Sequence, residues 1–169
     1  RARGVRLGIF GGSFDPVHYG HLLLAETCRE ACRLDEVWFM PAATAPHKQG
    51  HAPTEPRARL EMLELALAGS NSLRASRLEI ERGGVSYTVD TLRAVQESQP
   101  KAELFLLVGA DTLWDVPNWR SPAEICRLAT FAVIGRPDAL ALPSERLAEL
   151  KEMLGESLRI ETVPAPLME

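Results

Sequence analysis

The sequence predicts an α/β protein built on a Rossmann-like, doubly wound parallel sheet with helices on both faces. Three observations carry that expectation. Short segments such as Leu104-Phe105-Leu106-Leu107-Val108 are continuously apolar, as strands buried on both faces must be. Amphipathic helical stretches alternate with them along the chain. Glycine or proline closes several strands, at Gly11-Gly12, Pro41, Gly109 and Gly135, where such a sheet opens its ligand crevice.

The elements follow in order. Val5 to Phe10 reads as a strand running into Gly11-Gly12, and Leu22 to Cys32 as a helix with Leu22, Ala25, Cys28 and Cys32 on one side. Val37 to Met40 is a buried-type strand ending at Pro41. A Pro/Thr/His-rich loop spans Ala42 to Pro56, long enough to suggest a role in function. Arg57 to Leu67 is helical, with Leu60, Met62, Leu63 and Leu67 as its apolar side and Gly69 as its stop. Leu73 to Ile80 reads as one extended region or a broken pair of strands. Ser86 or Thr88 is expected to cap a helix running to Ser98. Strand Leu104 to Val108, helix Pro122 to Leu128, strand Phe131 to Ile134, helix Ser144 to Leu154 and strand Leu158 to Val163 complete the pattern.

With 169 residues, no internal repeat and no linker-like tract, residues 1–169 are read as one domain. Hydrophobic residues make up 46% and charged residues 25%, which supports a packed core. The net charge of −4 argues against nucleic-acid or anionic-membrane partners, because those call for a basic stripe. It leaves room for a small anionic substrate. Cys28, Cys32 and Cys126 are odd in number and form no CxxC pair, so a reducing cytoplasm is expected. No apolar run approaches the roughly 18 residues of a membrane span.

The most informative segment is Gly8-Ile9-Phe10-Gly11-Gly12-Ser13-Phe14-Asp15-Pro16-Val17-His18-Tyr19-Gly20-His21. Two glycines at a strand end let the backbone approach a ligand closely. His18 and His21, three residues apart at a helix start, share one side, where free amides and the helix dipole already favour an anion. Imidazole donors there suit phosphoryl or nucleotidyl transfer, in which positioning and charge neutralisation carry the catalysis. Taken singly, the glycine loop fits other turns, and the two histidines fit zinc ligation or a plain surface. Together they are hard to read as anything but a site.

The run resembles the GxFDxxHxGH signature of the nucleotidyltransferase superfamily, with His18-Tyr19-Gly20-His21 as its HxGH element. The fuller wording is similar to bacterial nicotinate mononucleotide adenylyltransferases, with Ser13 where threonine is usual. Four further segments extend the resemblance over nearly the whole chain. Thr44-Ala45-Pro46-His47-Lys48 resembles the PHK loop, and Ser86-Tyr87-Thr88-Val89-Asp90-Thr91-Leu92 the SYTxxTL helix start. Gly109-Ala110-Asp111, with Trp119 eight residues beyond Asp111, resembles the GxDxxxxxxxW pattern. Gly135-Arg136-Pro137 resembles an RPG-type element, with Asp138 in place of the glycine.

The resemblance implies a nucleotidyltransferase of the HxGH type that joins AMP from ATP to nicotinate mononucleotide, releasing nicotinate adenine dinucleotide and pyrophosphate. It implies His18 and His21 as catalytic. ATP contacts are implied at Gly11, Gly12, Ser13, Phe14, His18, His21, Gly109, Asp111 and Arg136. Those to the mononucleotide are implied at His47, Lys48, Thr88, Asp111 and Trp119. Mg²⁺ is expected to enter with ATP, largely water-coordinated, with no dedicated metal ligands on the protein. A sister enzyme such as phosphopantetheine adenylyltransferase would share HxGH but not the PHK and SYTxxTL segments. A class I aminoacyl-tRNA synthetase fragment would need a KMSKS-like loop. A non-catalytic nucleotide-binding sensor is the remaining alternative. The family also carries a downstream ISSTxIR-like segment for ATP phosphates, which does not appear before Met168-Glu169. With Arg1 in place of an initiator methionine, the sequence is read as lacking its native C-terminal segment.

Overall fold

The computed structural model describes residues 4–44, 54–135 and 142–166. Among them, six strands form one wholly parallel sheet in the order β3-β2-β1-β4-β5-β6. They are β1 (Arg6–Gly12), β2 (Glu36–Pro41), β3 (Leu73–Ala75), β4 (Glu103–Gly109), β5 (Ala129–Ile134) and β6 (Ile160–Val163). From β1 the chain winds outward through β2 and β3. It then returns to the other side of β1 and winds outward again from β4. The direction reverses between β1 and β4, so the crevice of a doubly wound sheet falls at their carboxyl ends.

Both faces are covered, and alternation along each strand shows how. On β4, Leu104, Leu106 and Val108 join one apolar cluster, with Val89, Leu92 and Val95 of α4 (Thr88–Ser98) and Ile125 of α6 (Pro122–Leu128). Phe105 and Leu107 face the other cluster, with Ala25 and Cys28 of α1 (Tyr19–Ala31) and Leu63 and Leu67 of α2 (Pro56–Leu67). Each fully buried leucine or phenylalanine is worth about 1.5–3 kcal/mol, which is why Leu104 to Val108 of β4 carry no polar residue. At Gly8 the sheet and its α1-side layer come so close that a Cβ would sit 2.8 Å from Leu34 Cδ1 and 3.0 Å from Leu107 Cδ1.

Arg6 locks the opposite end of the sheet from the crevice. Its Nη2 donates to the carbonyl of Cys32 at 2.8 Å, satisfying the end of α1, and its guanidinium lies 4.6 Å above the Phe105 ring. Helix α7 (Ser144–Leu154) closes the β5-to-β6 connection with Leu150 and Leu154 buried.

The structure corrects several local expectations. Leu73 to Ile80 is neither one strand nor two: β3 ends at Ala75 and a short helix, α3 (Leu78–Arg82), follows. Neither Ser86 nor Thr88 caps α4. Tyr87 occupies that position in extended conformation, and no side chain bonds the free amides. On α2, Met62 turns outward, while Arg59 takes a place on the buried side. Strand β1 runs through Gly11 and Gly12, which stay in register with Met40 and Pro41 of β2.

Candidate active site

The glycines end β1 at the crevice. A Cβ built on Gly11 or on Gly109, the last residue of β4, meets nothing within 4 Å, so neither glycine is required by the packing of the fold itself. Beyond Gly12 the backbone turns sharply, with Phe14 at φ 47. That turn drops the Phe14 ring into the core, 5.3 Å from both Phe10 and Phe39. Only its backbone is left to face a ligand. Ser13 is half-buried beside it.

The histidines occupy the start of α1. His18 is the extended residue at its N-cap and His21 lies in its first turn, with ring centroids 3.7 Å apart and nearly parallel. The His18 backbone N–H donates to His21 Nδ1 at 3.1 Å. An imidazole accepting at Nδ1 is neutral with its proton on Nε2, so His21 is set as an Nε2–H donor. Burial, and then the neighbouring His18, lower the His21 pKa from its ordinary value. Phe14 packs edge-on against the His21 ring at 5.1 Å and fixes its plane. His18 is exposed.

A cleft of about 470 Å³ opens at the switch point. Gly11, Gly12 and Gly109 line it together with Glu79, Ser86, Thr88 and Trp119. The volume suits a small organic ligand. Thr88 is the first residue of α4, whose amides lack a side-chain cap and can take an anion. Trp119 follows a 3₁₀ turn (Val116–Asn118) after α5 (Ala110–Asp115), half-buried, packed in part against the core and lining the cleft. Next to these two, Arg120 lies 4.0 Å over the ring of Tyr87 and ties the start of α4 to the Trp119 segment.

The structure therefore brings Gly11, Gly12, Gly109, Thr88 and Trp119 around one cavity. His18, His21, Ser13 and Phe14 border the adjoining glycine turn, outside the cavity lining. Asp111, in the first turn of α5, is exposed and also outside that lining. His47, Lys48 and Arg136 lie outside the described residues.

Two residues were not singled out from the sequence. Glu79 lines the cleft and accepts from Thr91 Oγ1 at 2.8 Å, while Arg82 Nη2 donates to the same hydroxyl at 2.7 Å. Burial raises the Glu79 pKa against the opposing pull of Thr91 and Arg82. Ser86 beside it contributes a fully buried hydroxyl that makes no well-formed hydrogen bond. The other residue is Arg59, only 1% exposed. Its Nη1 donates to Ser13 O at 2.6 Å, Nη2 to Ala42 O at 2.7 Å and Nε to Thr54 O at 3.0 Å. A signal was present for Arg59, since it stands four and eight residues before Leu63 and Leu67 on the apolar side of α2.

Among the described residues, no three His, Cys, Asp or Glu side chains converge in a way that could hold a metal ion. Nor is any helix among them long and apolar enough to cross a membrane.

Residues 9–163 match the model of the cytidylyltransferase-like family. The chain is 41% identical over 152 residues to a probable nicotinate-nucleotide adenylyltransferase of Gloeobacter violaceus, covering 90% of this chain and 74% of that protein. A probable nicotinate-nucleotide adenylyltransferase of Thermus thermophilus is 47% identical over 133 residues, 79% of this chain and 70% of its own length. Among solved structures, the nicotinic acid mononucleotide adenylyltransferase of Plasmodium falciparum, determined in complex with APC and with NaAD, superposes with a TM-score of 0.74. That match covers 98% of this chain and 77% of the other at 19% identity, a likeness of fold.

Proposed function

The chain belongs to the cytidylyltransferase-like family and, within it, to the nicotinate-nucleotide adenylyltransferases, and we propose how its cleft carries out that reaction. The enzyme transfers AMP from ATP to nicotinate mononucleotide, giving nicotinate adenine dinucleotide and pyrophosphate. One observation carries the assignment of the site. A single cavity at the sheet's switch point is lined together by bare glycine backbone, by Trp119 and by Thr88 at an uncapped helix start. That is the pairing needed to hold a phosphate chain and a pyridine acid together.

An oxygen of the acceptor's 5′-phosphate attacks the α-phosphorus of ATP. The bond from that phosphorus to the bridging oxygen breaks, and pyrophosphate leaves with the electron pair. No protein nucleophile takes part, so the residues align two anions and offset their repulsion. Backbone amides around Gly11 to Phe14 receive the triphosphate. His21, neutral and donating through Nε2, and His18 beside it stabilise charge at the α- and β-phosphates. Mg²⁺ enters as part of the MgATP substrate. Trp119 stacks on the pyridine ring, the amides near Thr88 hold its carboxylate, and Gly109 and Asp111 serve ribose hydroxyls. His47 and Lys48 are assigned to the acceptor phosphate and Arg136 to ATP. The buried, unpaired cysteines support a reducing, cytoplasmic setting.

Removing one preorganised donor from such a site typically costs about 10²–10³ in kcat. His18→Ala and His21→Ala should therefore lose dinucleotide formation on that scale while remaining cooperatively folded. Wild-type turnover in either variant would remove that residue from the mechanism.

A further inference from the structure

We infer that Arg59 is a positioning residue for the transfer reaction, fixing the glycine turn to the segment after β2 that in turn reaches Gly84 near the start of α4. The inference rests on the nucleotidyl-transfer reading given above. A guanidinium that is 1% exposed is a costly occupant for a helix side otherwise filled by Leu63 and Leu67, where leucine or methionine would pack at no such cost. Its bonds show what it does there. All of them go to backbone carbonyls, and these belong to three separate segments: Ser13 in the glycine turn, Ala42 and Ala43 after β2, and Thr54 before α2. Asp15, whose carboxylate accepts from the Thr54 N–H at 2.9 Å, supplies the opposing charge.

The linkage continues across the cleft. Ala42 N–H donates to Gly12 O at 2.9 Å, so the segment after β2 holds the glycine turn at two points, one direct and one through Arg59. From the same segment, Thr44 Oγ1 donates to Gly84 O at 3.0 Å. Gly84 lies two residues before Ser86, which lines the acceptor side of the cavity. Arg59 is thus the buried node of a path from the phosphate-binding turn to the wall that begins α4. Only a planar fork with several donors can reach all three segments at once; a lysine ammonium cannot.

The test is steady-state kinetics of Arg59→Lys and Arg59→Gln, expressed per folded molecule, with ATP and nicotinate mononucleotide varied in turn. A displacement near 1 Å at the reacting atoms costs about 10²-fold. The expected result for Arg59→Lys is a roughly 10–100-fold fall in kcat and a rise in both KM values. Thr44→Val, at an exposed position, should raise only the acceptor KM. A merely structural arginine predicts a lower Tm and yield with kcat and KM within twofold of wild type; that outcome overturns the inference. If the Arg59 variants do not fold, hydrogen exchange on the wild-type enzyme decides. Saturating ATP should slow exchange of the Arg59 Nε–H, which donates to Thr54 O, together with the amides of residues 11–14; an Nε–H that does not respond overturns the inference. Wild-type enzyme that turns over no acceptor counts against the reaction assigned, and the exchange experiment still decides the role of Arg59.

Discussion

Gly8 and Gly11 lie three residues apart on one strand, and alanine should have opposite consequences at the two. At Gly8 the new Cβ would lie 2.8 Å from Leu34 Cδ1, 3.0 Å from Leu107 Cδ1 and 3.2 Å from Val37 Cγ2, all from packed core side chains. Overpacking of this kind costs about 1–3 kcal/mol. Taking about 2 kcal/mol, Tm falls by roughly 4–8 °C for a chain of this size. The site is untouched, so kcat/KM per folded molecule should stay within twofold of wild type. At Gly11 nothing lies within 4 Å of the Cβ and the backbone is not left-handed, so folding is unharmed. Alanine also trims the entropy lost on folding, worth about 0.5–1 kcal/mol in the stabilising direction. The methyl instead enters the cleft where the phosphate chain must approach the backbone, and kcat/KM for ATP should drop at least about tenfold, or 1.4 kcal/mol of transition-state binding. Urea denaturation and pyrophosphate release on the same preparations measure both quantities. Gly11→Ala with normal kinetics, or with a loss of stability matching that of Gly8→Ala, would refute the argument that Gly11 is retained for a ligand.

Other expectations are simpler to state. The His21 pKa is depressed in the fold, so the unfolded chain binds the extra proton more readily. The contribution of His21 to stability is complete above its ordinary value of 6.5 and is lost as pH falls through the depressed folded value; a Tm series from pH 8 to 5 should show the decline, reduced in His21→Gln. Glu79 has the opposite sign, because burial raises its pKa and folding takes up a proton. Its charged form weakens the fold as pH rises through that raised value, so Glu79→Gln, which keeps an acceptor for Thr91, should raise Tm at pH 8 but not at pH 4. Burial pushes the Cys28 and Cys32 thiols up to about 12, so a thiol reagent at pH 8 should label neither until the protein is denatured.

Much of this architecture was legible in the residues because parallel strands buried on both faces cannot afford polar side chains. Leu104 to Val108 and Phe131 to Ile134 announce themselves on that ground, and helices Pro122–Leu128 and Ser144–Leu154 fall within the bounds read from the sequence. Strand ends were less legible. Gly11 and Gly12 read as a turn, yet their backbone stays paired with Met40 and Pro41, a tertiary fact that local propensity does not carry. The five residues of α3 are too few for an apolar stripe to emerge, and the α5 segment hides behind the glycine that ends β4. The start of α4 misled for a different reason. Ser86 and Thr88 are good capping residues, but the Ser86 hydroxyl is turned into the interior beside Glu79, and the helix amides are left free where the cleft lies.

Within the site, the glycine turn and the histidine pair were legible as motifs, because few other purposes put that set of residues at one strand-to-helix junction. Thr88, Gly109 and Trp119, far apart in sequence, do line a common cavity. Arg59 escaped because an arginine in a helix is ordinarily solvated. Its meaning depends on carbonyls supplied by Ser13, Ala42 and Thr54, which only the folded backbone brings together.

The most direct test of the central claim is pyrophosphate release by the purified protein with ATP and Mg²⁺, comparing nicotinate mononucleotide, nicotinamide mononucleotide and phosphopantetheine as acceptors. Release should be strong with nicotinate mononucleotide, with nicotinate adenine dinucleotide as the product, and absent with phosphopantetheine. ATP binding without release from any acceptor, or preferential use of phosphopantetheine, would contradict it.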